Sequence, residues 1–322
     1  MEEMMKKMMT LALALVAAGA FAQDWSWAAK DKDGLVAVNV AKVKGNVVVA
    51  GSGTVFPLGS ALIEQFKSEG YKDQATYDNI GSGAGFKRFV AGETDISAAS
   101  VGMDDGNKAA VKAMNKGDLQ EYKVAIDALV ILVNGKNVAV KDLTTAQVKA
   151  LFSTAVKWSD VDASWPAETI NRYIPETSHG TFAYFIEEFF AKKADPINAA
   201  TNVQRFQDYN QLIAAVEKDK NGVGFIGYNY YKESDNTKAV TLNGVAPTKE
   251  NVLGAKYGLA RFLYLYTTTG ILQAKPQVAA FLGFFLNNAA RYTTKLGFFT
   301  LPKADLDAQK KLFADTIKAS VK

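Results

Sequence analysis

Apolar residues in this chain fall into short runs, separated by glycine turns and by stretches with one apolar side. Val47-Val48-Val49-Ala50 is compact and apolar, the length of a short buried strand. Residues 51–54 predict a turn, and Pro57 opens a helix at a position where proline is tolerated. Leu58, Leu62 and Phe66 recur every four residues and give that helix a single apolar face. The unit returns in altered form as a strand over 75–80, a glycine turn over 81–85, a short helix over 86–91 and a strand over 95–99. Residues 126–133 predict a buried strand whose one polar residue is Asp127. Further on, 143–152 predicts a helix with Thr144 or Thr145 near its cap. The next helix, over 181–192, carries Phe182, Phe185, Ile186 and Phe189 on one side, spacing that favours core packing over ligand stacking. Tyr228, Tyr230 and Tyr231 fit either an edge strand or a cleft wall. Alternating strands and helices predict α/β layers with mostly parallel sheets.

The N-terminus differs in kind. Lys6 and Lys7 precede an uncharged run over 8–22 that ends in Ala20-Phe21-Ala22. A basic start, a short apolar stretch and a small-x-small site describe a secretory signal peptide over 1–22, because the run is too short to span a bilayer. Residues 23–45 follow as a loose N-terminal leader, with Trp25 and Trp27 available to dock it. The chain is thus expected in the periplasm. About 300 residues remain after cleavage, the size of two lobes.

Composition narrows the chemistry. There is no cysteine and one histidine, His179, which excludes thiol catalysis, Cys-ligated metals and multi-histidine metal sites. No cofactor motif is present. The formal net charge of +4 suits an anionic ligand and is too weak and too evenly spread for nucleic acid.

Three segments, "GSGTVFP" (51–57), "GSGAG" (81–85) and "TSHGT" (177–181), place Gly, Ser or Thr where a turn enters a helix. Helix N-termini leave backbone N–H groups unpaired and carry partial positive charge. Glycine permits close approach and hydroxyls add donors, which together suit a tetrahedral oxyanion. Any one such turn reads more simply as a helix cap. "GSGAGFK" lacks the P-loop ending, and Phe86 occupies the place of a dinucleotide motif's third glycine, so an anion is favoured over a nucleotide.

At these residues the chain resembles the phosphate-binding proteins of bacterial phosphate ABC transporters. The matching stretches are "GSGTVFPL", "IGSGAGFKRFVAGETDISAAS", "IDALVILVN", "LTTAQVKALF" followed by Trp158, "YIPETSHGTFAYF", "GVGFIGYNYY" and "YGLARFLYLY". The resemblance implies a type II two-lobed periplasmic-binding-protein fold, each lobe a mixed sheet flanked by helices. Lobe 1 would be 46–131 with 260–322, and lobe 2 would be 132–259. Two crossover strands, near 130–133 and 262–266, would form the hinge. Thr54 and the backbone amides of Val55 and Phe56 would grip the anion, joined by Ser82 and Ser100, and from the second lobe by Gly180 and Thr181. The implied partners are inorganic phosphate and the membrane permease of an ABC transporter, with the binding protein itself monomeric.

Three departures stand out. The family's Ser-Gly-Thr turn is His179-Gly180-Thr181 here, leaving Ser178 or His179 to replace the serine. Ser178 also stands where relatives carry a polar or acidic residue. Val101-Gly102 follows Ser100 where many relatives have Arg-Pro, so an expected positive charge is missing.

Asp127 is either a satisfied buried carboxylate or a selectivity device, since a carboxylate accepts the proton that phosphate carries and sulfate lacks. His179 is either structural or an N–H donor to the anion. Lys87, Arg88, Arg172 and Arg205 are further charged candidates, and Arg261, beside the expected hinge, is expected to pair with a carboxylate structurally. Rival readings are a binder of another tetrahedral oxyanion, an envelope scaffold that has lost its ligand, and a phosphoester enzyme. The last is disfavoured because Ser178-His179, adjacent in sequence, lacks a third member.

Overall fold

The structure, a computed structural model, describes residues 24–30, 36–177, 179–231 and 236–318. The expected signal segment therefore lies outside the described residues.

The chain opens with a small antiparallel hairpin, β1 (Ala28–Lys30) and β2 (Val36–Val38). Trp27, Val36, Val40 and Val43 are buried in the first core, so the described part of the leader is packed down rather than loose. The valine run becomes β3 (Val47–Gly51), parallel to β4 (Ala75–Asn79) on one side and β5 (Ile96–Ala99) on the other. Between them lie α1 (Phe56–Ser68) and α2 (Ser82–Val90). Leu58, Leu62 and Phe66 of α1 are buried, as their spacing predicts. α3 (Asp105–Ala113), capped by the Asp104 side chain, then leads out of this lobe.

A long strand, β6 (Leu119–Asn134), carries the chain from one core to the other. After it come the two-residue β7 (Asp142–Leu143) and α4 (Thr145–Leu151), which Thr144 and Gln147 cap reciprocally. β8 (Asn171–Pro175) leads into α5 (Gly180–Phe190), and β9 (Val203–Phe206) into α6 (Tyr209–Lys218). Phe185 of α5 stacks on Phe225 of β10 (Gly222–Gly227), with ring centroids 3.9 Å apart. β8, β9 and β10 are mutually parallel, whereas β10 and β11 (Thr237–Ala239) run antiparallel to β6. β12 (Thr241–Leu242) pairs with β7. The return strand β13 (Ala260–Thr268) pairs with both β6 and β5, antiparallel to each. Helices α7 (Pro276–Lys295) and α8 (Lys303–Ile317) close the first lobe. Each lobe is therefore a mixed sheet, because the strands that cross between lobes run against the parallel sets.

The crossing lies earlier on the outgoing strand than its apolar run suggests. β6 pairs with β13 as far as Ala128 and with β10 from Leu129 onward. Ala125 belongs to the first core and Ile126 to the second, while the returning chain changes core between Leu259 and Leu263. Phe299 and Leu301, expected in lobe 1, pack in the second core, where Phe299 bridges to Ile126. Pairing partners, not hydrophobicity, mark the hinge, since β6 is buried throughout this stretch.

The expected glycine turn over 81–85 is largely helix. Only Gly81 has a left-handed backbone, at φ 86°, and α2 begins at Ser82. Gly85 is a packing glycine, because a Cβ there would stand 2.6 Å from Gly51 Cα. Its absence lets α2 lie against β3. Gly85→Ala is expected to force these elements apart and cost about 1–3 kcal/mol, read as a lower midpoint in urea unfolding.

Candidate functional site

A cleft of about 470 Å³ opens between the lobes. Its first-lobe wall is the loop from β3 to α1. Ser52 organises this loop: its Oγ accepts the Thr54 N–H at 3.1 Å and donates to Ser100 Oγ at 3.0 Å. Behind it, Ser82 Oγ accepts the Ser100 N–H at 3.1 Å. Thr54 lines the cleft, whereas Ser82 and Ser100, whose hydroxyls lie 3.4 Å apart, are not among its lining residues. The Phe56 N–H is already bonded to the Ser52 carbonyl at 3.1 Å, and the Val55 side chain is fully buried. What Thr54 presents to the cleft is thus a hydroxyl, because its own amide is held by Ser52.

The second-lobe wall is the N-terminus of α5. His179 is its cap residue, and Gly180 and Thr181 open its first turn. All three line the cleft. Ser178 lies outside the described residues. The His179 ring nitrogen Nε2 is 3.0 Å from Gln207 Oε1, and the ring meets Tyr209 edge-on. Thr181 Oγ1 accepts a hydrogen bond from Tyr209 OH at 2.7 Å. The lobes come close at Gly180, where a Cβ would stand 2.5 Å from Thr54 Oγ1. Glycine is required there by close approach, since its backbone is ordinary helix.

The floor is the hinge itself. Asp127 on β6 and Arg261 on β13 are cross-strand partners. Arg261 Nε and Nη2 donate to Asp127 Oδ2 at 3.2 and 3.1 Å, and Nη2 also donates to Thr54 Oγ1 at 3.0 Å. The guanidinium lies 4.2 Å from the ring centroid of Tyr184, on α5. Asp127 is 4% exposed and Arg261 9%. Burial pushes the Asp127 carboxyl up, and the guanidinium and the Ala128 N–H pull it back. Arg261 does pair with a carboxylate, as expected, but the pair belongs to the site: it joins the hinge to a cleft hydroxyl.

The other cations are elsewhere. Arg172 is fully buried in the second lobe, where it donates to the carbonyls of Leu151 at 2.6 Å, Thr201 at 2.7 Å, and Ala155. Burial without a carboxylate partner lowers its pKa to about 10. Arg88 pairs with Asp78 and Glu93, and Lys87 is exposed. Arg205 donates to Asn198 and covers the Phe182 ring. None of them lines the cleft. Instead Asn79, at the end of β4 in the first lobe, and Gln207, Asp208, Tyr209, Asn210 and Tyr230 of the second lobe do, residues that carry no local signature in the sequence. Tyr228–Tyr231 forms a helical turn, not an edge strand, and only Tyr230 of its three tyrosines reaches the cleft.

Comparison with known proteins identifies the family. A PBP superfamily domain matches residues 37–289. The phosphate-binding protein PstS of Staphylococcus epidermidis is 35% identical over 275 residues, covering 83% of this chain and 82% of its own. PstS of Staphylococcus saprophyticus is 34% identical over 284 residues, 86% of each chain. Among solved structures, a possible phosphate binding protein from Planctomyces limnophilus superposes with a TM-score of 0.76 at 30% identity, covering 86% of this chain and all of that one. A phosphate ABC transporter substrate-binding protein from Clostridium perfringens, solved with bound phosphate, gives 0.62 at 26% identity over 80% of this chain and all of its own. With a family domain spanning most of the sequence and curated relatives above 30% identity along it, this chain belongs to the PBP superfamily and, within it, to the PstS family of phosphate-binding proteins.

Proposed function

We propose that this protein captures inorganic phosphate between its lobes and delivers it to the membrane permease of an ABC importer. The observation that carries the reading is the meeting of Thr54, from one lobe, with Gly180 and Thr181, from the other, over the Asp127–Arg261 pair in a single cleft. Among the described residues the lining includes no Lys or Arg, so the anion is held by hydroxyls, ring N–H and the first-turn amides of α5, groups that replace its hydration shell on closure. Arg261 supplies positive charge from behind Thr54 and Asp127. It is a counterpart, on the strand next to β5, to the charge missing after Ser100.

Asp127 is the selectivity element: it accepts the proton of hydrogen phosphate and opposes sulfate, which offers only acceptors. His179 adds a ring N–H from the helix cap. The site binds and does not catalyse. The chain acts as a secreted monomer in the periplasm. A second oxyanion remains the alternative because of the His179 and Val101 departures from relatives.

Calorimetry with phosphate, arsenate, sulfate and molybdate should show phosphate binding tightly and sulfate weakly. A thousandfold excess over Kd should stabilise the protein by about 4 kcal/mol in a thermal melt. Preference for sulfate or molybdate would replace the phosphate assignment.

Asp127→Asn should contract the phosphate-to-sulfate ratio at least about tenfold. It should also cost about 3–5 kcal/mol of stability, because Arg261 loses its buried partner. Unchanged discrimination in a folded variant would remove Asp127 from this role.

Gly180→Ala places a methyl against Thr54 Oγ1. It should weaken phosphate at least about tenfold, the cost of a small overpacking at a closing interface, while leaving the melting temperature of the ligand-free protein near wild type. Undiminished affinity would show that the lobes need not meet here.

A further inference from the structure

Both cleft threonines have an acceptor site already committed to a neighbour behind them. Arg261 Nη2 donates to Thr54 Oγ1 at 3.0 Å, and Tyr209 OH donates to Thr181 Oγ1 at 2.7 Å. A guanidinium has donors only, so Thr54 can meet it only with a lone pair. In the second pair the phenol is the stronger acid and the alcohol the better acceptor, which gives the same sense. Burial raises the Tyr209 phenol above its usual range and so keeps the proton on it. A hydroxyl has one proton and two lone pairs. With a lone pair engaged behind, each threonine proton is left to point away from its neighbour, and both residues line the cleft.

The backing groups are themselves held. Arg261 is clamped by Asp127 and Tyr184. Tyr209 is the first residue of α6, whose N-terminus Asp208 caps by accepting the Asn210 and Gln211 N–H groups. Its ring is wedged between His179, at 5.0 Å, and Tyr230, at 4.4 Å between centroids.

We propose that Arg261 and Tyr209 are positioning residues that preset the hydroxyls of Thr54 and Thr181 as donors, one from each lobe, toward the bound oxyanion. The inference rests on the phosphate reading above and deepens it. A free hydroxyl offers a ligand donor and acceptor alike and must reorganise when an anion arrives. A preset one opposes its proton to the anion at the outset, and the chained hydrogen bonds polarise one another.

The Tyr209 arm is the testable one, since truncating Arg261 would leave Asp127 buried without its partner. Titration calorimetry with inorganic phosphate on the full secreted chain should show Tyr209→Phe about fivefold weaker, the loss of one hydrogen bond's orientation. Thr181→Val should be about 10- to 100-fold weaker, the range for a bond to a charged group. The decisive reading is their coupling. Adding Tyr209→Phe to Thr181→Val should change phosphate affinity by less than about twofold, whereas in a Thr181→Ser background, which restores the hydroxyl, the fivefold effect should return. A role confined to packing would not track the hydroxyl in this way. Tyr209→Phe alone within about twofold of wild type, or an equal loss with and without the Thr181 hydroxyl, would overturn the inference while leaving phosphate binding intact. Absence of phosphate binding in the wild type would instead overturn the functional reading on which it rests.

Discussion

A carboxylate on the outgoing strand faces a guanidinium on the returning one, at the point where the two cores divide. Asp127 and Arg261 are both nearly inaccessible, and a buried charge of either sign would be costly alone. Their cross-strand register makes each the other's partner. The same guanidinium reaches Thr54 in the first lobe and the Tyr184 ring in the second. One side chain therefore touches hinge, loop and helix at once. The relative placement of the cleft walls depends on that contact, and so does the orientation of the hydroxyl that Thr54 presents.

Around this pair the cleft is built almost wholly of neutral groups. Among the described residues, Asp127 and Asp208 are its carboxylates, and no lysine or arginine lines it. An anion entering such a site gives up water mainly for oriented dipoles, with the Arg261 charge set behind Thr54. The helix ends contribute partial charge at α5, and the hydroxyls contribute directed protons. This arrangement requires the walls to close tightly, because individual dipoles act only at short range. Gly180 is the residue that permits it: the second-lobe helix comes directly up to Thr54 where any side chain would intervene. Binding strength and lobe closure are thus coupled through a position that carries no chemistry of its own.

Much of the fold was legible because its signals are local. Four-residue apolar spacing gave α1 its buried face, and the threonine pair Thr144-Thr145 marked the start of α4. The site was legible in part. Thr54, Asp127, His179, Gly180 and Thr181 were singled out from turns and one odd polar residue, and they do share a cleft. Ser82 and Ser100, expected as ligands from the resemblance, bond to each other beside the Ser52 loop and are not among the residues that line the cleft. The glycines of 81–85 misled similarly, since Gly85 serves helix–strand packing.

The chain's pattern of short apolar runs, glycine turns and one-sided helices was enough for an α/β class, for a family resemblance and for the candidate turns. These are properties of neighbours along the backbone, set by periodicity and by which residues tolerate a turn. The pairings that give the cleft its chemistry are of another sort. Asp127 and Arg261 are 134 residues apart in sequence, and Thr181 and Tyr209 are 28 apart. Strand register brings the first pair together, and the meeting of the α5 and α6 N-termini beyond the ends of the parallel strands β8 and β9 brings the second. A register or a packing angle is fixed by the sum of all contacts across an interface, which is why no single stretch of sequence announces it.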